Sequence, residues 1–508
     1  MNSKPQSGRC RSSVREPQSG ISLVELMISI AIGLIIMLAL ITVYVNITRS
    51  NAEMAKTNSQ IENGRFAMQV LHEDLVHAGF WGGHVPQFDD LSAYSITPML
   101  TSTPGGSLPT AAPDPCLDFA DWNTEHKGNL IGIAVQAYDD VPATVKCAAL
   151  LTNHQVNTDV LVVRHAAGCE ATATGIDDCR AEAGKLYFQP AFCEADLSGS
   201  YAQSGTTTSI TLAATASAID GFYNNMVVRI VSGPGATQYG RVISYVGATK
   251  VATIDGTWPT APTGDSKYVF GLGYILDTAG HNFTKRNCTS LAGKYKFISN
   301  IYYVRNFANT AGDGIPTLVR SQLDLDPSSG VIKQLAPVPL IEGIEGFKVE
   351  LGVDNISDSW INIITGNQVN PATGADIAGT ANPLNRYTAK IKWANDENLV
   401  SPTNRGDGMP DGAFVRCTTA APCTEAQLTN TVAVKLYLLA RARETSPGYM
   451  EDKTYYLDSA RTTAFNPCVD ASGTALTGSA LVNCQQFKRQ VFSTTVRLNN
   501  ISGRRETP

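Results

Sequence analysis

The sequence predicts an α+β fold. A long N-terminal helix, membrane-spanning in its first part, packs on an antiparallel β-sheet head with an inserted small β module. Three observations predict it. Residues 26–45 run for 20 positions without a charge. No proline stands between Pro17 and Pro86, so nothing in that stretch forbids one continuous helix. From about residue 130 onward, runs rich in β-branched and aromatic residues are separated by Gly- and Pro-containing turns.

Composition sets the outer limits. Charged residues make up 17%, and the chain holds Gly 43 and Pro 25, which excludes a long coiled coil and a disordered polyelectrolyte. The net charge of -6 contains no basic surplus, so no nucleic-acid partner is expected. A hydrophobic share of 43% excludes a polytopic membrane protein. At 508 residues the chain has room for about three domains.

The first helix begins after a basic segment. Lys4, Arg9, Arg11 and Arg15 stand against Glu16, a balance of +3. A 20-residue apolar helix covers the roughly 30 Å hydrocarbon core, and the basic flank keeps the N-terminus cytoplasmic. The rest of the chain is then expected outside. A secretory signal peptide would use Ser50-Asn51-Ala52 as its small-residue cleavage site. The apolar run is too long for that, and Glu25 interrupts its start. A plain anchor leaves Glu25 unexplained, because a charge at the bilayer centre costs about 3 kcal/mol on insertion scales.

Beyond the membrane the helix is expected to continue to about residue 78. Met54, Ile61, Met68 and Leu75 recur every seven positions with Leu71 beside them, a stripe that docks the second half on the chain's own head. Gly33 and Gly64 read as weak points inside it, and Gly79, Gly82 and Gly83 as its stop. His72 and His77 fall on the polar face. Strands are expected at KLYLLARA and FSTTVRL, and FKVEL alternates as a half-buried strand does.

The N-terminal pattern, a basic segment, Gly20, Ile21, then Glu25 at the head of an apolar helix, resembles the prepilin leader of type IV pilins. The resemblance implies a cut between Gly20 and Ile21 and methylation of the new amine on Ile21. It also implies an assembly role for Glu25, whose carboxylate meets the α-amine of a neighbouring subunit in a filament. Ile21 stands where the family usually has Phe, and the leader is long for the class.

Further segments resemble the PilW-like minor pilins of the type IV pilus. They are IENGRFAMQVLHEDLVHAGFWGG at 61–83, IYYVRN at 301–306, GIPTLVR at 314–320, LIEGIEGFKVELGVD at 340–354, VAVKLYLLARA at 432–442 and QVFSTTVRLNN at 490–500. On that resemblance the chain divides into a leader (1–20), a pilin helix (21–83, transmembrane over 21–45), a first part of the head (84–197), an inserted β-rich module (198–275) and the rest of the head (276–508). Residues 197–219, uncharged and rich in Ser, Thr, Ala and Gly, read as a loosely ordered linker or edge. The runs VVRIV, GRVISYV and KVATI in 220–270 resemble a small β-rich module of phage virion and other surface proteins. A second insertion, about 355–413, reads as loops.

The resemblance implies a minor pilin acting in pilus initiation or at the tip, with no enzymatic activity and no cofactor. Expected partners are a prepilin peptidase, other major and minor pilins, inner-membrane lipid and a tip adhesin. The expected location is the inner membrane, single-pass with a periplasmic C-terminal domain, and then the pilus at the cell surface. The alternatives are a type II secretion pseudopilin, which shares the leader and the Glu, and a pilus-displayed adhesin acting through 220–270.

Eleven cysteines are present, with Cys10 in the leader. The other ten, Cys116, Cys147, Cys169, Cys179, Cys193, Cys288, Cys417, Cys423, Cys468 and Cys484, fall in the expected oxidising space and are disulfide candidates. Short spacing nominates 169–179, 417–423 and 468–484, and a 193–288 bridge would staple the base of the module. No Cys-x-x-Cys or His-Glu-x-x-His points to a metal, and no Walker A, Gly-x-Ser-x-Gly or Rossmann pattern points to catalysis. The stretch 404–412 resembles a calcium loop around Asp407-Gly408. Thr403 and Arg405 at the earlier ligand positions are wrong for a hard cation, so a solvated turn is expected there.

Overall fold

The computed structural model describes residues 20, 22–84, 86, 109–192, 199–218, 220, 223, 227–254, 256–270, 274–285, 287–356, 360–362, 365–381 and 406–505. Residues 1–19 of the expected leader, Ile21 and Cys193 lie outside them. The chain divides into two compact units, Met1–Asn58 and Ser59–Pro508.

Helix α1 runs over Leu23–His77. In the first unit its large apolar side chains, from Leu23 through Ile47, are exposed. Such a surface suits hydrocarbon rather than water. The helix ends where Gly79 takes φ +73°, a conformation that an L side chain resists. The Asn500 side chain then donates to the carbonyl of Val76 at 3.1 Å, and to those of His77 and Ala78 at 3.3 Å each. These are the carbonyls a helix end leaves unpaired.

The strands of the second unit follow in chain order. First come β1 (Val135–Tyr138), β2 (Val160–Ala166) and β3 (Tyr187–Pro190). Seven short strands follow: β4 (Ser200–Tyr201), β5 (Ser204–Gly205), β6 (Ser209–Thr211), β7 (Val227–Ser232), β8 (Tyr239–Val246), β9 (Val251–Ile254) and β10 (Lys267–Val269). Next are β11 (Tyr274–Asp277), β12 (Tyr295–Arg305), β13 (Thr317–Leu325), β14 (Ile332–Gln334) and β15 (Val338–Glu342). The last three are β16 (Ile344–Val353), β17 (Thr431–Arg441) and β18 (Arg489–Arg497).

They form three sheets. The first has the order β1-β2-β12-β13-β14, with β15 on β13 and β3 on β11 and β12. The second is β4-β10-β7-β8-β9-β6-β5, and the third is β16-β17-β18. All of the strand pairings are antiparallel.

The main core lies under the second half of α1. Ala67, Leu71, Leu75 and Ala78 meet Leu161, Val163, Tyr302 and Val304 of the first sheet, and Phe347, Val349, Val434 and Leu436 of the third. Strand β2 is buried throughout because side-chain alternation serves two layers. Leu161 and Val163 face α1, while Val160 and Val162 join a cluster with Cys116 and Cys147. The second sheet has its own core, including Ile210, Val228, Ile230, Val242, Tyr245 and Trp258.

Several sequence expectations need correction. The buried stripe of α1 is Gln60, Gly64, Ala67, Leu71 and Leu75, not the seven-residue series. Spacings of three and four keep one face of a 3.6-residue helix inward, so Ile61 and Met68 flank the contact and Met54 is exposed. Gly64 is a contact rather than a weak point. A Cβ there would stand 2.2 Å from the Phe492 ring, so only glycine lets β18 close on the helix.

The Ser/Thr/Gly stretch expected as a linker or edge supplies β4, β5 and β6, and two of these are the edges of the second sheet. Backbone pairing holds it together with a few buried apolar side chains, Ala202, Ile210 and Leu212. The expected module boundary at 275 cuts β11, which pairs with β3 in the first sheet. Within 355–413 the described residues form no strand, and only isolated bridges join Ile356 to Asn362, Ile361 to Gln368 and Val369 to Asp376, as expected of loops.

Four disulfides join Cys116–Cys147, Cys169–Cys179, Cys417–Cys423 and Cys468–Cys484. Cys288 is disulfide-bonded as well. The first pair, 31 residues apart, is one that spacing does not single out.

Candidate functional site

The head of α1 is the place where an unusual residue and an unusual surface coincide. Ser22 and Glu25 form a reciprocal cap. The Ser22 N–H donates to Glu25 Oε2 at 3.0 Å, and the Glu25 N–H donates to Ser22 Oγ at 3.2 Å. The spacing Ser-x-x-Glu is the capping-box signature, and each bond satisfies a donor that a helix start leaves open. The carboxylate also faces the positive end of the helix dipole. One of its oxygens accepts the Ser22 N–H, and a carboxylate has lone pairs for further donors.

Gly20 precedes this cap, exposed, with nothing within 4 Å of where a Cβ would stand. Among the described residues, no packing requires glycine at this position. A requirement for it must come from whatever acts on the segment. Ile21 lies outside the described residues. Among these residues α1 is the one helix apolar enough to cross a membrane, with a mean hydropathy of 2.9 in its best window.

The second half of α1 is bolted to the head by polar contacts that no motif announces. Asp74 Oδ1 lies 2.9 Å from His165 Nε2 on β2. Asn300 Nδ2 on β12 donates to both Asp74 oxygens, at 3.1 and 3.0 Å. His165 Nδ1 meets the Ala166 carbonyl at 2.8 Å. Both ring nitrogens thus face acceptors, and only the imidazolium donates to both. Burial pushes the pKa of His165 down. The Asp74 carboxylate, the Ala166 carbonyl and Asp178 outweigh it, and the net direction is up. The His77 ring stands 5.6 Å away, and Tyr302 also faces Asp74. Higher along the helix, Gln60 Nε2 donates to the Ala440 carbonyl at 2.8 Å and Asn63 Nδ2 to that of Glu342 at 3.1 Å.

The other candidate sites resolve into structure. His72 and His77 are exposed on α1. In the 406–412 turn, Asp407 accepts the Met409 N–H at 2.8 Å, and Asp411 accepts those of Asn355 and Ile356 at 2.7 Å each. The turn is held by its own backbone donors. Asp114, Cys116 and Cys147 lie close enough together to hold a metal, but the two sulfurs are bonded to each other. Asp74, His165 and Asn300 are the functional contacts that sequence reasoning missed. Asp74 is 91 positions from one partner and 226 from the other, and no spacing marks it.

The prokaryotic N-terminal methylation motif matches residues 16–41, the segment that contains Gly20, Ile21, Ser22 and Glu25. The family model of type IV pilus-assembly protein W matches residues 301–500, from within β12 to just past β18. Neither a curated protein nor a solved structure gives a significant match. A long apolar N-terminal helix with antiparallel sheets in an α+β arrangement is, with that motif, a pilin-like fold.

Proposed function

We propose that this type IV pilus-associated, pilin-like chain is a minor pilin that acts in pilus initiation or at the tip. The methylation motif implies processing by a prepilin peptidase and assembly with other pilins. In our reading the cut falls between Gly20 and Ile21, and the mature chain waits in the inner membrane with its head in the periplasm. It then enters the filament through the apolar helix. The observation that carries this is the motif lying on an exposed apolar helix with a carboxylate in its first turn. The type IV pilus-assembly match over 301–500 favours the pilus over a secretion pseudopilin. Intact mass and N-terminal sequencing of the chain from sheared pili are expected to find a methylated Ile21 as the first residue. A mature form beginning at Glu53, or one still carrying 1–20, would overturn the reading.

A second reading, display of a binding module, is favoured by one observation. The second sheet has a core of its own, and the chain leaves and re-enters the head side by side, with Pro190 of β3 paired to Tyr274 of β11. We infer an insertion whose ends a short turn can join, as inserted domains require. Deleting 198–271 is expected to leave a folded, protease-resistant head that still reaches pili, measured by limited proteolysis and by recovery in sheared filaments. Loss of the folded head would refute the insertion. Loss of attachment with pili intact would support the adhesin reading.

A further inference from the structure

A cavity of about 320 Å³ opens on the face of the third sheet turned away from α1. Side chains alternate along β16, so Phe347 and Val349 face the helix while Lys348 faces the cavity. The opposite wall is a segment around Leu457 to Ala475, tied down by the Cys468–Cys484 disulfide.

At its base sits Asp159, which is 1% exposed. Its Oδ1 lies 2.9 Å from Lys348 Nζ and 2.8 Å from Arg416 Nη2, and its Oδ2 accepts the Val349 N–H at 2.9 Å. Asp159 is thereby satisfied, but its two cations are not spent. An ammonium has three donors and a guanidinium five. Lys348 and Arg416 both line the cavity and keep donors beyond those that Asp159 takes. Across from them Asp458 Oδ1 is buried and has no hydrogen-bond partner. Asn157 and Asn466 add neutral donors and acceptors, and Phe465 adds a flat apolar wall.

We propose that this cavity binds a carboxylated sugar, a uronic acid residue of an acidic glycan. Its carboxylate pairs with Lys348 and Arg416, a ring hydroxyl donates to Asp458, and the ring lies along Phe465. The competing chemistries each leave a group unmatched. A small amino acid would match the charges but leave the Phe465 wall and the neutral groups of Asn157 and Asn466 without a ring to meet. A phosphate would bring a second anion to the Asp458 oxygen. A neutral sugar would leave the further donors of both cations without an anion. The proposal concerns the head alone and does not depend on where the subunit sits in a filament.

The test is calorimetric titration of the detergent-solubilised full chain with sodium glucuronate, and separately with glucose, alanine and inorganic phosphate. Saturable glucuronate binding is expected, at least about tenfold tighter than any of the other three, a difference of about 1.4 kcal/mol. Asp458→Ala removes the acceptor. Arg416→Lys keeps a charge on Asp159 but loses the guanidinium fork. Each is expected to weaken glucuronate at least about tenfold. Asp458→Ala keeps the thermal midpoint unchanged, while Arg416→Lys lowers it because Arg416 also forks onto the buried Asp159. Should either variant fail to fold, Ala464→Trp, on the exposed rim, plugs the cavity without touching its charges and is expected to abolish binding. Absence of saturable glucuronate binding overturns the proposal. So does equal binding of glucose, tighter binding of alanine or phosphate, or binding that all folded variants retain.

Discussion

Glu25→Gln is expected to leave membrane insertion and leader removal intact and to abolish entry into the filament. Glutamine serves the capping box as well as glutamate does, so the cap with Ser22 survives and only the charge is lost. That isolates the effect. Under the proposed assembly step, the protonated amine of a neighbouring subunit would be buried without its countercharge. Leaving one buried charge unpaired costs about 3–5 kcal/mol. At about 1.4 kcal/mol per decade this is a roughly 140- to 3,700-fold loss in the assembly equilibrium. Glu25→Ala is expected to lose the same amount and, in addition, about 1 kcal/mol of helix start. The measurement is the ratio of variant to wild-type chain in sheared pili, normalised to membrane pools. An unchanged ratio for Glu25→Gln would sink the proposed role of this carboxylate.

Asp74→Asn is expected to loosen the second half of α1 from the head in a pH-dependent way. Below its raised folded pKa, the imidazolium of His165 donates to Asp74 and to the Ala166 carbonyl. Hydrogen bonds to charged groups contribute about 1.5–3 kcal/mol each. The pKa of His165 is raised in the folded chain. Its contribution is therefore fully present below the unfolded value of about 6.5 and is lost as pH rises through the higher folded value. In the variant the carboxylate that opposed desolvation is gone, so burial drives the ring neutral. The stability difference between wild type and Asp74→Asn should be about 2–3 kcal/mol near pH 6, shrinking as pH rises through the raised folded value. Denaturant midpoints across that range, with protease sensitivity of residues 59–77, measure it. A difference that stays constant or grows with rising pH would show that Asp74 acts on docking by packing alone.

The two predictions draw on different kinds of information. Glu25 is legible in one dimension. A charge at the edge of an uncharged run is conspicuous because the bilayer imposes its cost on a contiguous segment. The same holds for the helix itself and for strands such as β17, whose apolar and β-branched content is local. Asp74 is one of several acidic residues on a helix face, and nothing near it in the chain distinguishes it from Glu73. Only the approach of β2 and β12 makes it the residue that orients His165.

The burial of α1 shows the same divide. That its second half would dock on the head follows from amphipathic periodicity alone. Which residues meet the head does not. The contact at Gly64 exists because the Phe492 ring arrives there, and β18 is placed by its pairing with β17, a strand about 370 positions from Gly64 in the chain. Likewise β4–β6 come from a stretch too polar to look like strand, since a sheet accepts any backbone with free donors and acceptors beside it. Cys116–Cys147 closes because two distant segments lie over the outer face of β2.

By itself, then, the sequence determined the long apolar helix, the methylation-motif segment, the carboxylate in its first turn and the α+β class. Each is set by run length, charge or period within some tens of residues. The tertiary structure alone decided which side of α1 is covered, which carboxylate holds His165, how the strands divide among three sheets, and that Lys348, Arg416 and Asp458 line one cavity. Those depend on strand pairing and layer packing between distant segments, where position along the chain carries no signal.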